Sequence, residues 1–211
     1  MNSVHDHAER AIAVRRGRLL EYLTIVWNLM EGIISIGAGL LAGSIALIGF
    51  GFDSLIEVSS GAALLWRLHM DVPERREKAE ATALKLVGIS FILLAIYVAF
   101  DAIKSLVKGE LPEASYLGIA IAALSLLVMP YLAKAKRRVA AMIQSRALQA
   151  DSRQTDICAY LSAILLGGLL LNALFGWWWA DPLAALIMVP IIAKEGIEAL
   201  RGETCCDDVC H

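Results

Sequence analysis

Asp53 and Glu57, four residues apart in the apolar stretch GFGFDSLIEVSSG, are the residues best suited to chemistry in this sequence. On a helix, an i, i+4 pair shares one face with β-carbons about 5–6 Å apart. Two anions that close repel unless a cation or a proton lies between them, and no neighbour in the sequence neutralises this pair. Such carboxylates inside a membrane span face a bundle interior or a water-filled cavity, and they mark a functional site by default. A second acidic stretch, ADSRQTDICAYLS, holds Asp156, with Asp151, Ser152 and Gln154 as polar neighbours. Upstream, Glu21 and Asn28 share a helical stripe with Glu31 beside it.

Plainer readings stand beside these. Glu21 is close enough to the inner membrane boundary to be solvated, and Asn28 can hydrogen-bond a neighbouring helix. Asp101 and Lys104, three apart, read as a structural ion pair. Asp151 beside Arg153 reads as an acidic helix start that complements the helix dipole. Cys158 reads as a small buried apolar residue.

The elements that must hold these residues are membrane helices. Of 211 residues, 58% are hydrophobic and only 19% charged, against about 45–50% and about 25% in soluble domains. Six stretches approach the roughly 20 apolar residues that a span needs. They run from Leu19 to Leu41, Ser44 to Leu65, Leu84 to Val107, Tyr116 to Ala135, Ala147 to Leu171 and Trp177 to Leu200. Residues 1–18 are polar and basic, with no cleavable leader pattern, so the first span is expected to be retained.

Basic residues set the orientation, because they concentrate on the cytoplasmic side. Arg10, Arg15, Arg16 and Arg18 precede the first span, and Arg67, Arg75, Arg76 and Lys78 follow the second. Lys134, Lys136, Arg137, Arg138 and Arg146 separate the fourth from the fifth. The expected fold is all-α: a polytopic protein of six transmembrane helices with both termini cytoplasmic. Its parts are a cytoplasmic segment 1–18, a membrane domain 19–200 and a cytoplasmic Cys/His tail 201–211. Trp177, Trp178 and Trp179 form an outer aromatic belt, and Ala42-Gly43 leaves a tight hairpin between the first two spans. A net charge of −2 gives no reason to expect nucleic acid as a partner. The expected location is the inner membrane of a bacterium, with the lipid bilayer itself as a partner.

Three motifs in register carry a family resemblance. SIALIGFGFDSLIEVSSGAALL resembles the second transmembrane helix of the cation diffusion facilitator (cation efflux) family. ALQADSRQTDICAYLSAILLG resembles its fifth helix, and ADPLAALIM, Ala180 to Met188, the start of its sixth. The resemblance covers about residues 12–201. It implies a transporter rather than an enzyme, exporting divalent transition-metal ions in exchange for protons as a homodimer. The metal is then substrate, zinc first, with iron, cobalt, manganese or cadmium also open, and no organic cofactor is implied. The ligands it implies are Asp53, Glu57 and Asp156, with Ser152 where many zinc transporters have histidine. Glu31, Asn28, Asp151 or Gln154 are the choices for the remaining ligand.

Many family members continue into a ferredoxin-like metal-binding domain, so the resemblance implies a short form here. The sequence offers instead His5 and His7 at the start and Cys205, Cys206, Cys210 and His211 at the finish. Thiolates with imidazole make a soft site for zinc, cadmium or copper(I), and the reducing cytosol keeps such cysteines as thiols. The rival from another class is a membrane-anchored metal sensor or scaffold that binds through these tails without transport. A head-group enzyme would need its acids at the inner interface, whereas Asp53 and Glu57 fall near mid-span.

Overall fold

The computed structural model describes residues 2–69, 73–143 and 145–201. These form six helices in chain order: α1 (Asn2–Ala42), α2 (Ile45–His69), α3 (Pro73–Lys108), α4 (Tyr116–Ile143), α5 (Arg146–Phe175) and α6 (Ala180–Arg201). The closest packing is in the pairs α1–α2, α4–α5 and α3–α6, with α1 also against α4 and α2 against α3, α5 and α6. Polarity is inverted relative to a soluble protein. Leu23, Val26, Met30 and Ile33 of α1 and Leu93, Ile96 and Phe100 of α3 point outward, while acids, amides and hydroxyls are buried. That is the arrangement lipid demands, since the bilayer core offers no hydrogen-bond partner. The chain is an integral multi-pass membrane protein of all-α class.

Helices α1 to α5 are long and apolar enough to cross a membrane. The sixth expected span forms as a helix of 22 residues but is more charged, because Lys194, Glu195 and Glu198 crowd its last third. Two boundaries also shift. Helix α1 is continuous from Asn2, so the expected separate segment 1–18 belongs to the same helix as the first span. AERAIAVRR contains only residues that tolerate helix, with no proline to stop it. Helix α3 likewise starts at Pro73 rather than near Leu84, with proline at the position where its missing N–H costs nothing.

Turn chemistry positions α2. Gly43 takes a left-handed φ of 68°, and the Ser44 hydroxyl oxygen accepts from the Leu47 N–H at 3.1 Å. The Asp181 carboxylate, from the first turn of α6, accepts the Ile45 N–H at 2.9 Å and the Ser44 hydroxyl. One helix therefore caps the N-terminus of another and fixes the depth at which Asp53 and Glu57 follow. The α1–α2 seat is equally specific: a β-carbon on Gly51 would lie 2.9 Å from the Ile36 backbone nitrogen. Only glycine lets the two backbones approach so closely, as small residues do in membrane helix pairs.

Candidate metal centre

Helix α1 turns a polar seam toward the bundle interior. Glu21, Thr24, Asn28, Glu31 and Ser35, spaced alternately three and four apart, are all buried. That period keeps them on one face. Helix α2 brings Asp53, Ser54 and Glu57 to the same interior, also buried. The Asn28 amide donates to Glu57 Oε2 at 2.7 Å, and Ser54 Oγ donates to Glu31 Oε2 at 3.1 Å. Glu21 is thus not solvated, and Asn28 is the interhelical hydrogen-bond donor its position suggests.

Helix α5 contributes a thiol. Single ligand atoms of Asp53, Glu57 and Cys158 all lie within 4.8 Å of one another, and all three residues are buried. Cys158 Sγ also reaches Glu31 Oε2 at 3.9 Å. An ion bound at about 2.0–2.3 Å to oxygen and sulfur would gather such atoms with a small closure of the helices. Two hard oxygens and one soft sulfur form a donor set that accepts a borderline divalent ion such as zinc. Gln154, one turn before Cys158, accepts from Ser60 Oγ at 3.3 Å and shares a small polar cavity with Glu57 and Asn28.

Of the two residues implied from the fifth helix, Ser152 is buried and Asp156 is not. Asp156 forms an ion pair with Arg137 of α4, and both side chains are partly exposed. Ser152 donates to the Gln149 carbonyl of its own helix at 2.7 Å. Ser152 and Asp156 form one i, i+4 pair and Gln154 and Cys158 another, offset by two residues. Two residues of helix are about 200° of rotation, so the pairs cannot share a face. Cys158 continues inward through Leu161, Leu165 and Leu169, all buried; this period was the available signal for the inward face. Asp151 is also repositioned: it pairs with Lys136 rather than simply opening a helix. Asp101 and Lys104 form the expected ion pair at 3.2 Å. Cys205, Cys206, Cys210 and His211, the expected soft ligands of the tail, lie outside the described residues, as do the side chains of His5 and His7.

Several buried atoms here have no hydrogen-bond partner among the described residues: Glu21 Oε1, Trp27 Nε1, Asn28 Oδ1, Glu31 Oε1, Ser35 Oγ, Asp53 Oδ2 and Ser125 Oγ. Buried polar atoms are almost always satisfied, and the carboxylate oxygens among these are ones that a proton or a bound cation would satisfy.

Comparison with known proteins identifies the domain. The cation efflux transmembrane domain matches residues 22–203. The chain is 27% identical over 179 residues to an uncharacterized transporter of Methanocaldococcus jannaschii, covering 82% of this chain and 63% of that protein. It is 25% identical over 182 residues to transmembrane protein 163 of Xenopus laevis, covering 86% and 65%. With the manganese efflux system protein of Bacillus subtilis it shares 27% over 200 residues, covering 87% and 66%. The chain spans less than two thirds of the length of each of these relatives. With six helices and a buried acidic seam under a match that covers most of its length, the chain belongs to the cation efflux family.

Proposed function

We propose that this protein exports divalent transition-metal ions from the cytoplasm, with Asp53, Glu57 and Cys158 as the transport site. The observation that carries the reading is the convergence of two carboxylates and a thiol from α2 and α5 inside a bundle whose outer surface is apolar. A transport site needs donors inside the bundle and two alternating routes to them. The sulfur supports zinc or cadmium ahead of manganese, because thiolate favours the softer ions. Glu31, through its contact with Cys158, and Asn28, through Glu57, are the nearest residues to complete the shell.

The test is metal uptake into proteoliposomes across a panel of divalent ions. Asp53→Ala and Glu57→Ala should each abolish transport while the protein inserts and folds, since removing one of two repelling buried anions does not strip a partner from a cation. Near-normal transport in both variants would remove the site assignment. A wild-type protein that binds metal but moves none across a sealed bilayer would favour a sensor instead.

A further inference from the structure

The mechanism above leaves a second buried charge group unused. Lys136 of α4 is fully buried, and its ammonium contacts Glu21 Oε2 of α1 at 3.3 Å and Thr155 Oγ1 of α5 at 3.4 Å. It also forms an ion pair with Asp151 Oδ2 of α5. Three helices therefore meet on one cation. A structural ion pair needs a single carboxylate; here two carboxylates share one ammonium, and Glu21 Oε1 remains buried with no partner. With both carboxylates ionised, the set carries one negative charge more than its cation neutralises. In a low-dielectric interior such an imbalance is costly.

The same group opens onto the transport site. A small polar cavity is lined by Glu21, Thr24, Asn28, Glu57, Asp151 and Gln154. Glu21 and Glu57 both line it. Glu21 and Asn28 are seven residues apart on α1, about 10 Å along the helix axis. The Glu21 end lies toward the basic, cytoplasmic face deduced from the arginine and lysine pattern. Two carboxylates and a hydroxyl around a point charge are the hard oxygen donors that also suit a divalent ion.

We propose that Glu21 and Asp151 form a second cation station between the cytoplasm and the Asp53–Glu57–Cys158 cluster, occupied in this conformation by the Lys136 ammonium. An arriving divalent ion displaces the ammonium and then passes along the cavity to Glu57. Lys136 is a tethered counter-cation that closes the route when no metal is on it. The proposal rests on the cluster being the transport site.

The experiment measures cadmium binding by equilibrium dialysis and cadmium transport in proteoliposomes, using the full chain. Lys136→Met keeps the length of the side chain and removes its charge. The expected result is one more cadmium ion bound per chain than in wild type, lost again in Lys136→Met/Glu21→Gln. Glu21→Gln alone should raise KM for cadmium roughly tenfold, equivalent to about 1.4 kcal/mol, with kcat nearly kept, because the last site is intact. A folded Lys136→Met protein that binds no additional ion overturns the proposal. So does a Glu21→Gln protein whose KM is unchanged, whether or not kcat falls, and this arm decides alone if Lys136→Met does not fold. Wild-type protein that transports no metal would end the transport reading itself, which keeps the two failures apart.

Discussion

Cys158 brings one sulfur among the oxygens of the candidate site, and metal preference follows from it. Cys158→Ser is nearly isosteric but exchanges soft for hard. We expect zinc and cadmium KM to rise about tenfold while manganese transport changes little, as donor softness dictates; equal loss for all three metals would show that the thiol packs rather than binds. Asp156→Asn should leave transport nearly intact, because Asp156 faces Arg137 at a partly exposed position and such pairs contribute about 0–1 kcal/mol. Loss of transport in that variant would restore the register implied by family resemblance. The carboxylate pair of α2 was legible because a charge in an apolar run has few explanations. The fifth helix is ambiguous, since ADSRQTDIC offers two interleaved i, i+4 pairs and residue type alone does not choose between them. Lys136 was illegible for a related reason: among neighbouring basic residues its type cannot distinguish a solvated lysine from one buried between two acids.

Helix ends rather than helix faces set the depth of the site. The α2 N-terminus is capped across the bundle by Asp181, in the first turn of α6. Asp181→Ala removes the acceptor for the Ile45 N–H, and losing a cap of this type costs about 0.5–2 kcal/mol. Thermal unfolding in detergent should show a lower Tm for this variant, and an unchanged Tm would mean that the contact is incidental. Span existence was readable from apolar length alone, and the tight α1–α2 turn from Ala42-Gly43. The cap was not readable, because ADPLAALIM shows an aspartate at a helix start and nothing of the helix it serves. The helical extensions of α1 and α3 beyond the membrane were missed because polarity marks where lipid ends, not where a helix ends.

Across the whole molecule, the proposed export would require the acidic seam to be neutral when no metal is on it, and protons are the simplest replacement for a divalent ion. We therefore expect metal uptake into inverted vesicles to accelerate with an opposing pH gradient and to release protons, read by a pH-sensitive dye. Equal rates without a gradient and no proton release would exclude antiport. The Lys136–Glu21 contact joins residues 115 positions apart, and this bears on biosynthesis. As the chain leaves the ribosome, α1 to α3 emerge with Glu21, Glu31, Asp53 and Glu57, whereas the ammonium that meets Glu21 arrives only with α4, and Asp151 later still. The first half of the nascent chain thus carries buried negative charge whose partner has not yet been synthesised. Its early helices must wait at the translocon, or take up protons, until the fourth is made; we expect a chain interrupted after α3 to be degraded in the membrane rather than to persist as a stable half-bundle.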